Sequence, residues 1–280
     1  MSIDAWREAG SFIELSGHRM FYRRAGRGPV LLLVHGYPTS SWDWAPMWPE
    51  LVARYDVIAM DMLGFGESAK PRGHRYSLVE QTDLHEALLA KLGVGRFHAL
   101  VHDYGVTVGQ EMLARTSPLE SIAFLNGGLF PEMHRARPIQ RLLASPLGPL
   151  VARLTSERMF TRSLSALFAK PPSREEMHSF WLLASKNDGR LALAGLIRYM
   201  AERREKRERW VNALLGAELP LLVINGSKDP VSGAHVVDRV LELRPGTNVV
   251  RLPLVGHYPQ VEAPSEVLAA YASFRASIEA

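Results

Sequence analysis

Three residues whose types do chemistry together stand far apart in the chain. Asp103 lies in "VHDYG" (101–105), Asp229 ends "NGSKD" (225–229), and His257 lies in "VGHYPQ" (255–260). The first stretch has the x-x-nucleophile-x-Gly form of a tight strand-to-helix turn, which pushes one side chain out above the start of a helix. Such a turn commonly presents a serine hydroxyl; here it presents a carboxylate, and Val101 stands where a glycine is usual. A carboxylate is a poor acyl nucleophile, but it can displace a leaving group from saturated carbon and form an alkyl ester on Asp103. His257 would then take a proton from water, and the hydroxide would attack the carbonyl carbon of that ester. Asp229 would hold the imidazole tautomer and stabilise the imidazolium.

The negative charge of the second step develops on the enzyme's own carboxyl oxygen. The expected donors to it are backbone amides, from Tyr104 after the nucleophile and from Tyr37 in "HGYP" (35–38). Pro38 would fix the bend of that loop. Two leaving groups suit such a nucleophile, an epoxide oxygen and a halide. An epoxide needs a proton donor, for which a phenol is suited. A halide needs N–H donors from tryptophan or asparagine, and neither Tyr37 nor Tyr104 supplies one. Tyr199, in "LAGLIRYMAERR", is therefore the expected ring-opening acid.

Plainer roles compete for several of these residues. Asp103 precedes a helical run and could serve as its N-cap, but the company of "HGYP" and "GHYPQ" favours the nucleophile. His102 is read as a packed structural residue and Asp61, in "DMLGFGES", as an acid that orders a loop. Asn126 cannot replace an ionised triad acid. The basic stretch "RREKRERW" (203–210) is read as a solvated helix face whose Glu205 and Glu208 pair with neighbouring arginines.

The elements that must position these groups follow from periodicity. "PVLLLVHG" (29–36), "YDVIAMDMLG" (55–64), "RFHALVHDYG" (96–105), "SIAFLNGG" (121–128), "LPLLVINGSKD" (219–229) and "TNVVRLPLVGH" (247–257) read as buried strands. Between the second and third, Leu78, Leu84, Leu88, Leu89 and Leu92 recur at helical spacing, with Gly93 as a stop. Strand and helix in alternation predict a parallel sheet covered on both faces. The rhythm breaks from 129 to 214, where only helical segments are found. The expected organisation is a core domain from 1–128 and 215–280, split by a helical cap at 129–214. The candidate-site motifs all sit at carboxyl ends of strands, where open parallel sheets bind ligands.

Bulk properties exclude other classes. The chain has 280 residues, 47% of them hydrophobic, and no cysteine, which rules out disulfides, thiolate metal sites and a cysteine nucleophile. A net charge of +4 is mild, and no nucleic-acid recognition motif accompanies it. No apolar run of about 18 residues occurs, and the N-terminal residues do not read as a signal peptide. The expectation is a cytoplasmic protein acting on a small-molecule substrate, with no cofactor, metal, nucleic-acid or membrane partner, and with a homodimer left open.

The segments "HGYPTSSWDW", "DMLGFGESAKP", "HDYG" and "GHYPQVEAP" resemble α/β-hydrolases of the epoxide hydrolase and haloalkane dehalogenase group. Within it, "LNGGLFPEMHR", "NDG" followed by "RYMAERR", and "GHYPQ" are similar to the mesoderm-specific transcript proteins. The resemblance implies an α/β-hydrolase fold with a helical cap. It also implies Asp103 as nucleophile, Asp229 as acid, His257 as base, the amides of Tyr37 and Tyr104 as oxyanion hole, and Tyr199 as lid tyrosine. Typical epoxide hydrolases carry two lid tyrosines, and this insertion has one, so either Tyr199 acts alone or His134, His178 or Trp181 assists at the substrate. The implied activity is opening of an apolar epoxide to a vicinal diol. Haloalkane dehalogenation, or a hydrolase shape whose site is vestigial, are the alternatives.

Overall fold

The computed structural model describes residues 1–279. Eight strands form one sheet: β1 (Ser11–Leu15), β2 (His18–Ala25), β3 (Val30–Val34), β4 (Asp56–Met60), β5 (Phe97–Asp103), β6 (Leu119–Gly127), β7 (Leu221–Gly226) and β8 (Asn248–Leu252). Their order across the sheet is β1-β2-β4-β3-β5-β6-β7-β8. Strands β3 to β8 run parallel, whereas β2 pairs antiparallel with both β1 and β4. The fold is the α/β-hydrolase fold, a mostly parallel sheet flanked by helices.

The sequence explains this division. Strands covered on both faces read as continuous apolar runs, and β5 is buried along its whole length. Each large apolar side chain so buried contributes about 1.5–3 kcal/mol. The β1–β2 hairpin was not read from sequence, because "HRMFYRRA" carries arginines through the strand. Arg24 pairs with Asp56 on the neighbouring strand at 2.6 Å. Arg23 lays its guanidinium over the Trp6 and Trp48 rings at 4.2 and 4.6 Å, so its charge hides a buried position.

Between β6 and β7 the described elements are all helical, from the short turn Pro131–Met133 to the helix Arg207–Leu215. This insertion is tied to the core at several depths. Glu111, on the helix Tyr104–Ala114, is nearly buried, and it accepts from Arg209 Nε at 2.7 Å and from Trp210 Nε1 at 2.7 Å, both on the helix Arg207–Leu215. Burial opposes the Glu111 charge, but Arg209, Arg115 and Trp210 outweigh it and hold the carboxyl at about 2. Gln110 adds bonds to the carbonyls of Leu129 and Trp210, at 3.1 and 3.3 Å. The stretch 203–210 therefore departs from the solvated face expected of it. Arg207 pairs with Glu132 and Arg209 with Glu111, partners distant in sequence, and Arg203 is fully buried.

Candidate active site

Strand β5 ends in the elbow that the motif predicts. Its register with β6 slips between Val101 and Asp103, where the chain lifts out of the sheet. Asp103 has φ 45° and ψ −101°, a backbone state that costs roughly 1–3 kcal/mol in a residue with a side chain. Gly105 makes the turn possible. A Cβ there would lie 2.6 Å from the Val34 carbonyl oxygen and 2.8 Å from that of His35, so the following helix packs directly on the end of β3.

The three residues predicted to act together do meet. His257, after β8, donates from Nδ1 to Asp229 Oδ2 at 2.7 Å, and its Nε2 lies 3.5 Å from Asp103 Oδ1. The other Asp103 oxygen accepts from the Tyr37 amide at 3.0 Å. The Tyr37–Pro38 peptide is cis. Tyr104 opens the helix Tyr104–Ala114, where a backbone N–H has no intrahelical acceptor. Of the two amides expected of an oxyanion hole, that of Tyr37 is bonded to the carboxylate, and that of Tyr104 lies in the first turn of the helix that Asp103 precedes.

Asp229 is held by more than the histidine. Its Oδ1 accepts from the Val231 amide at 2.7 Å, and its Oδ2 accepts from Ser232 Oγ at 2.7 Å and Asn126 Nδ2 at 2.9 Å. Asn126 also bridges to Gly226, accepting from its amide at 2.6 Å and donating to its carbonyl at 2.9 Å. It is a positioning residue for the acid, as its chemistry requires: an amide can bond a carboxylate but cannot take its place.

The charges follow from this packing. Burial opposes the His257 charge, but Asp229 and then Asp103 raise its pKa to about 10. Burial alone would raise the two carboxyl groups; His257 instead holds both well below the usual carboxylate range, helped at Asp103 by the charge of Arg203. His102 donates from Nε2 to the His257 carbonyl oxygen at 2.8 Å. Burial first, and then the neighbouring His257 charge, push it down to about 3, so it is neutral and structural. His35 is likewise neutral, at about 4 through burial. Its Nδ1 donates to the Gly36 carbonyl and its Nε2 accepts from the Met62 amide at 3.0 Å, fixing the tautomer and the loop before Tyr37. Asp61 orders its loop, accepting from the amides of Ser41 and Glu67 at 2.8 and 2.7 Å.

Above Asp103 lies a cavity of about 80 Å³, bordered by His257, Tyr37 and apolar residues of the insertion that include Leu143, Met159, Phe160 and Leu164. Tyr199 stands just behind this wall. Its ring packs on those of Tyr37 (5.8 Å) and Tyr104 (5.4 Å), and its hydroxyl accepts from Gln140 Nε2 at 3.1 Å. Gln140 itself lines the cavity. Burial and the Asp103 charge push the Tyr199 phenol up, and the same causes, with the Tyr199 charge, act on Tyr37. His134 packs beside Tyr199 at 6.2 Å between ring centres and is held at about 4 by burial and the Arg203 charge. None of the three expected substrate contacts, His134, His178 and Trp181, lines the cavity. His178 is exposed and pairs with Glu157 at 2.6 Å. Trp181 packs against Phe160 at 5.5 Å. Both sit on the helix Arg174–Ser185, which contributes no residue to the cavity lining.

Sequence reasoning missed Arg203. It is 2% exposed, yet it pairs with no carboxylate. Its Nη2 donates to the Asp103 carbonyl oxygen at 2.8 Å, its Nε donates to Thr107 Oγ1 at 2.7 Å, and its guanidinium lies 4.5 Å from the Tyr199 ring centre. The signal was present but disguised, since Arg203 opens the most charged stretch of the chain. A larger open groove of about 1380 Å³, between residues 70–77 and the insertion, contains none of the triad.

The geometry therefore sets a buried carboxylate on an elbow, beside an imidazole that is bonded to a second carboxylate, with a backbone N–H donated to the first. The alpha/beta hydrolase fold family matches residues 29–264. LipZ of Mycobacterium tuberculosis is 41% identical over 272 residues, covering 94% of each chain. The mesoderm-specific transcript homolog protein of Homo sapiens is 38% identical, covering 98% of this chain and 88% of its own. The solved structure of the haloalkane dehalogenase DbeA from Bradyrhizobium elkani is similar in fold, with a TM-score of 0.82 at 23% identity over 96% of this chain and 98% of its own. With the triad and its elbow in place, the chain belongs to the α/β-hydrolase fold family, among relatives that include the mesoderm-specific transcript proteins.

Proposed function

We propose that this hydrolase opens an apolar epoxide to a vicinal diol through an alkyl ester on Asp103. The observation that carries the reading is a buried aspartate at the elbow, 3.5 Å from the His257 imidazole, beneath an apolar cavity. In the first step an Asp103 oxygen forms a bond to an epoxide carbon as the C–O bond breaks. The alkoxide takes a proton from a phenol. Tyr199 is the expected donor, set just behind the cavity wall with its hydroxyl bonded to the lining Gln140, and Tyr37, which lines the cavity itself, supplies the second phenol that the insertion lacks.

Esterification removes the Asp103 charge, so His257 loses one of the two carboxylates that keep it protonated. Its proton returns to the phenolate, and the neutral imidazole is then the base. Water gives a proton to His257 while its oxygen attacks the ester carbonyl. The Tyr37 and Tyr104 amides stabilise the oxyanion, each such donor being worth roughly 100- to 1000-fold in rate. Collapse releases the diol, with the proton from His257 going to the leaving oxygen.

A His257→Gln variant incubated with a panel of epoxides tests this. The expected result is a peptide containing "VHDYG" heavier by the mass of one substrate; a panel that leaves it unmodified overturns the reading. Tyr199→Phe should slow diol formation at least tenfold, while Tyr37→Phe reports on the second phenol. A second reading is haloalkane dehalogenation, favoured by the 29% identity over 94% of this chain to a protein named haloalkane dehalogenase from Sphingobium indicum. Against it, no tryptophan or asparagine is among the described residues lining the cavity. Halide release from haloalkanes, with epoxides untouched, would select it.

A further inference from the structure

Five of the eleven large hydrophobic side chains exposed among the described residues fall within 18 positions of the insertion. They are Leu142, Leu147, Leu150, Leu154 and Met159, each 43–63% exposed. Leu147, Leu150 and Leu154 are spaced three and four apart along the helix Gly148–Leu154, whose Gly148 and Ala152 are turned inward. The leucines thus form one outward stripe on a helix that already spends its other face on packing. Such contiguous exposed apolar surface marks a place where something docks.

The surrounding charge says what kind of partner fits. From 134 to 173 there are seven cations and one acid, a net +6 in a chain whose total is +4. Arg141, Arg153, Arg158, Arg162 and Lys170 are exposed and form no ion pair among the described residues. The single acid, Glu157, is taken by His178 at 2.6 Å. A two-fold pairing of this surface with a second copy would set like charges against each other. Leucines flanked by unpaired arginines match instead the interface of an anionic bilayer, with apolar side chains in the acyl boundary and cations at the headgroups.

We propose that this face of the insertion docks on anionic membrane surfaces. It lies on the membrane rather than crossing it, which agrees with no described helix being long and apolar enough to span. The stripe adjoins the mouth of the cavity: Leu142 and Leu154 precede Leu143 and Thr155, which line it, and Met159 belongs to both surfaces. On the reading proposed above, an apolar substrate dissolved in the bilayer would meet the opening directly. The docking itself does not depend on the chemistry at Asp103.

Flotation of the full chain with vesicles tests the proposal without any substrate. With phosphatidylcholine containing roughly one-third phosphatidylserine the protein should float, and with phosphatidylcholine alone its partitioning should fall roughly tenfold. Leu150→Gln/Leu154→Gln and Arg153→Glu/Arg158→Glu should each lose binding by a similar factor. Leu254→Gln, at an exposed leucine outside the insertion, and Asp103→Asn should float as the wild type does. A wild type that ignores the anionic vesicles, or a leucine double variant that binds them unchanged, overturns the proposal. So does a wild-type dimer that the leucine variant dissolves without any vesicle binding, which would assign the stripe to contact between copies.

Discussion

At the scale of single residues, the proposed reaction has one covalent step change the charge of another group. Free Asp103 is held ionised far below the usual carboxylate range, so ester formation should be insensitive to pH down to about 4. Ester hydrolysis needs neutral His257 and should slow as pH falls. In the ester, only Asp229 still raises the imidazole, so this limb should lie well below the value of about 10 held in the free enzyme. The expected outcome in quenched single turnovers of wild type is an Asp103 ester that builds up at about pH 5 and is scarcely detectable at about pH 8. An ester population indifferent to pH would remove His257 from the role of base. These residues were legible because their chemistry is written locally: an elbow motif, an acid after one strand and a histidine after the next. Tyr37 was legible only through its amide, since nothing in "HGYP" tells where the phenol points.

At the scale of elements, the nucleophile is positioned from below by the sheet and from above by the insertion. Arg203 supplies the upper contact. Arg203→Met should remove a charged donor from the Asp103 carbonyl oxygen and a neighbouring positive charge, at a cost of about 1–3 kcal/mol in stability. It should also raise the Asp103 pKa, which a merely structural loss would not do. Arg203→Lys should restore the pH profile in part while leaving the two-pronged bond incomplete. The check is the acid limb of ester formation in the three proteins. Such a contact could not be read from the sequence, because its two ends are 100 positions apart and its arginine sits in what looks like a solvated run. The parallel strands were readable for the opposite reason: burial on both faces writes itself as an unbroken apolar run. The first hairpin was hidden by arginines whose stems and rings do the packing.

At the scale of the whole molecule, the triad is also part of what holds the fold together. His257 has a folded pKa of about 10 against an ordinary 6.5, so its contribution is complete below about 6.5 and is lost as pH rises through 10. Asp103 and Asp229 are shifted the other way, and their contribution is complete above about 3.8 and lost as pH falls below it. The difference in melting temperature between wild type and His257→Gln should therefore be widest at about pH 5–6 and shrink towards pH 10. A difference that stays constant over that range would show that the carboxylates do not hold the imidazole charged. The joint between helices Tyr104–Ala114 and Arg207–Leu215 has a consequence for engineering. Glu111 is an anion whose partners come partly from the insertion, and the Asp103 loop borrows its cation from there too. A chimera that received a foreign cap would inherit an orphaned acid and an untethered elbow, unless the graft brought an arginine and an indole to the same depths.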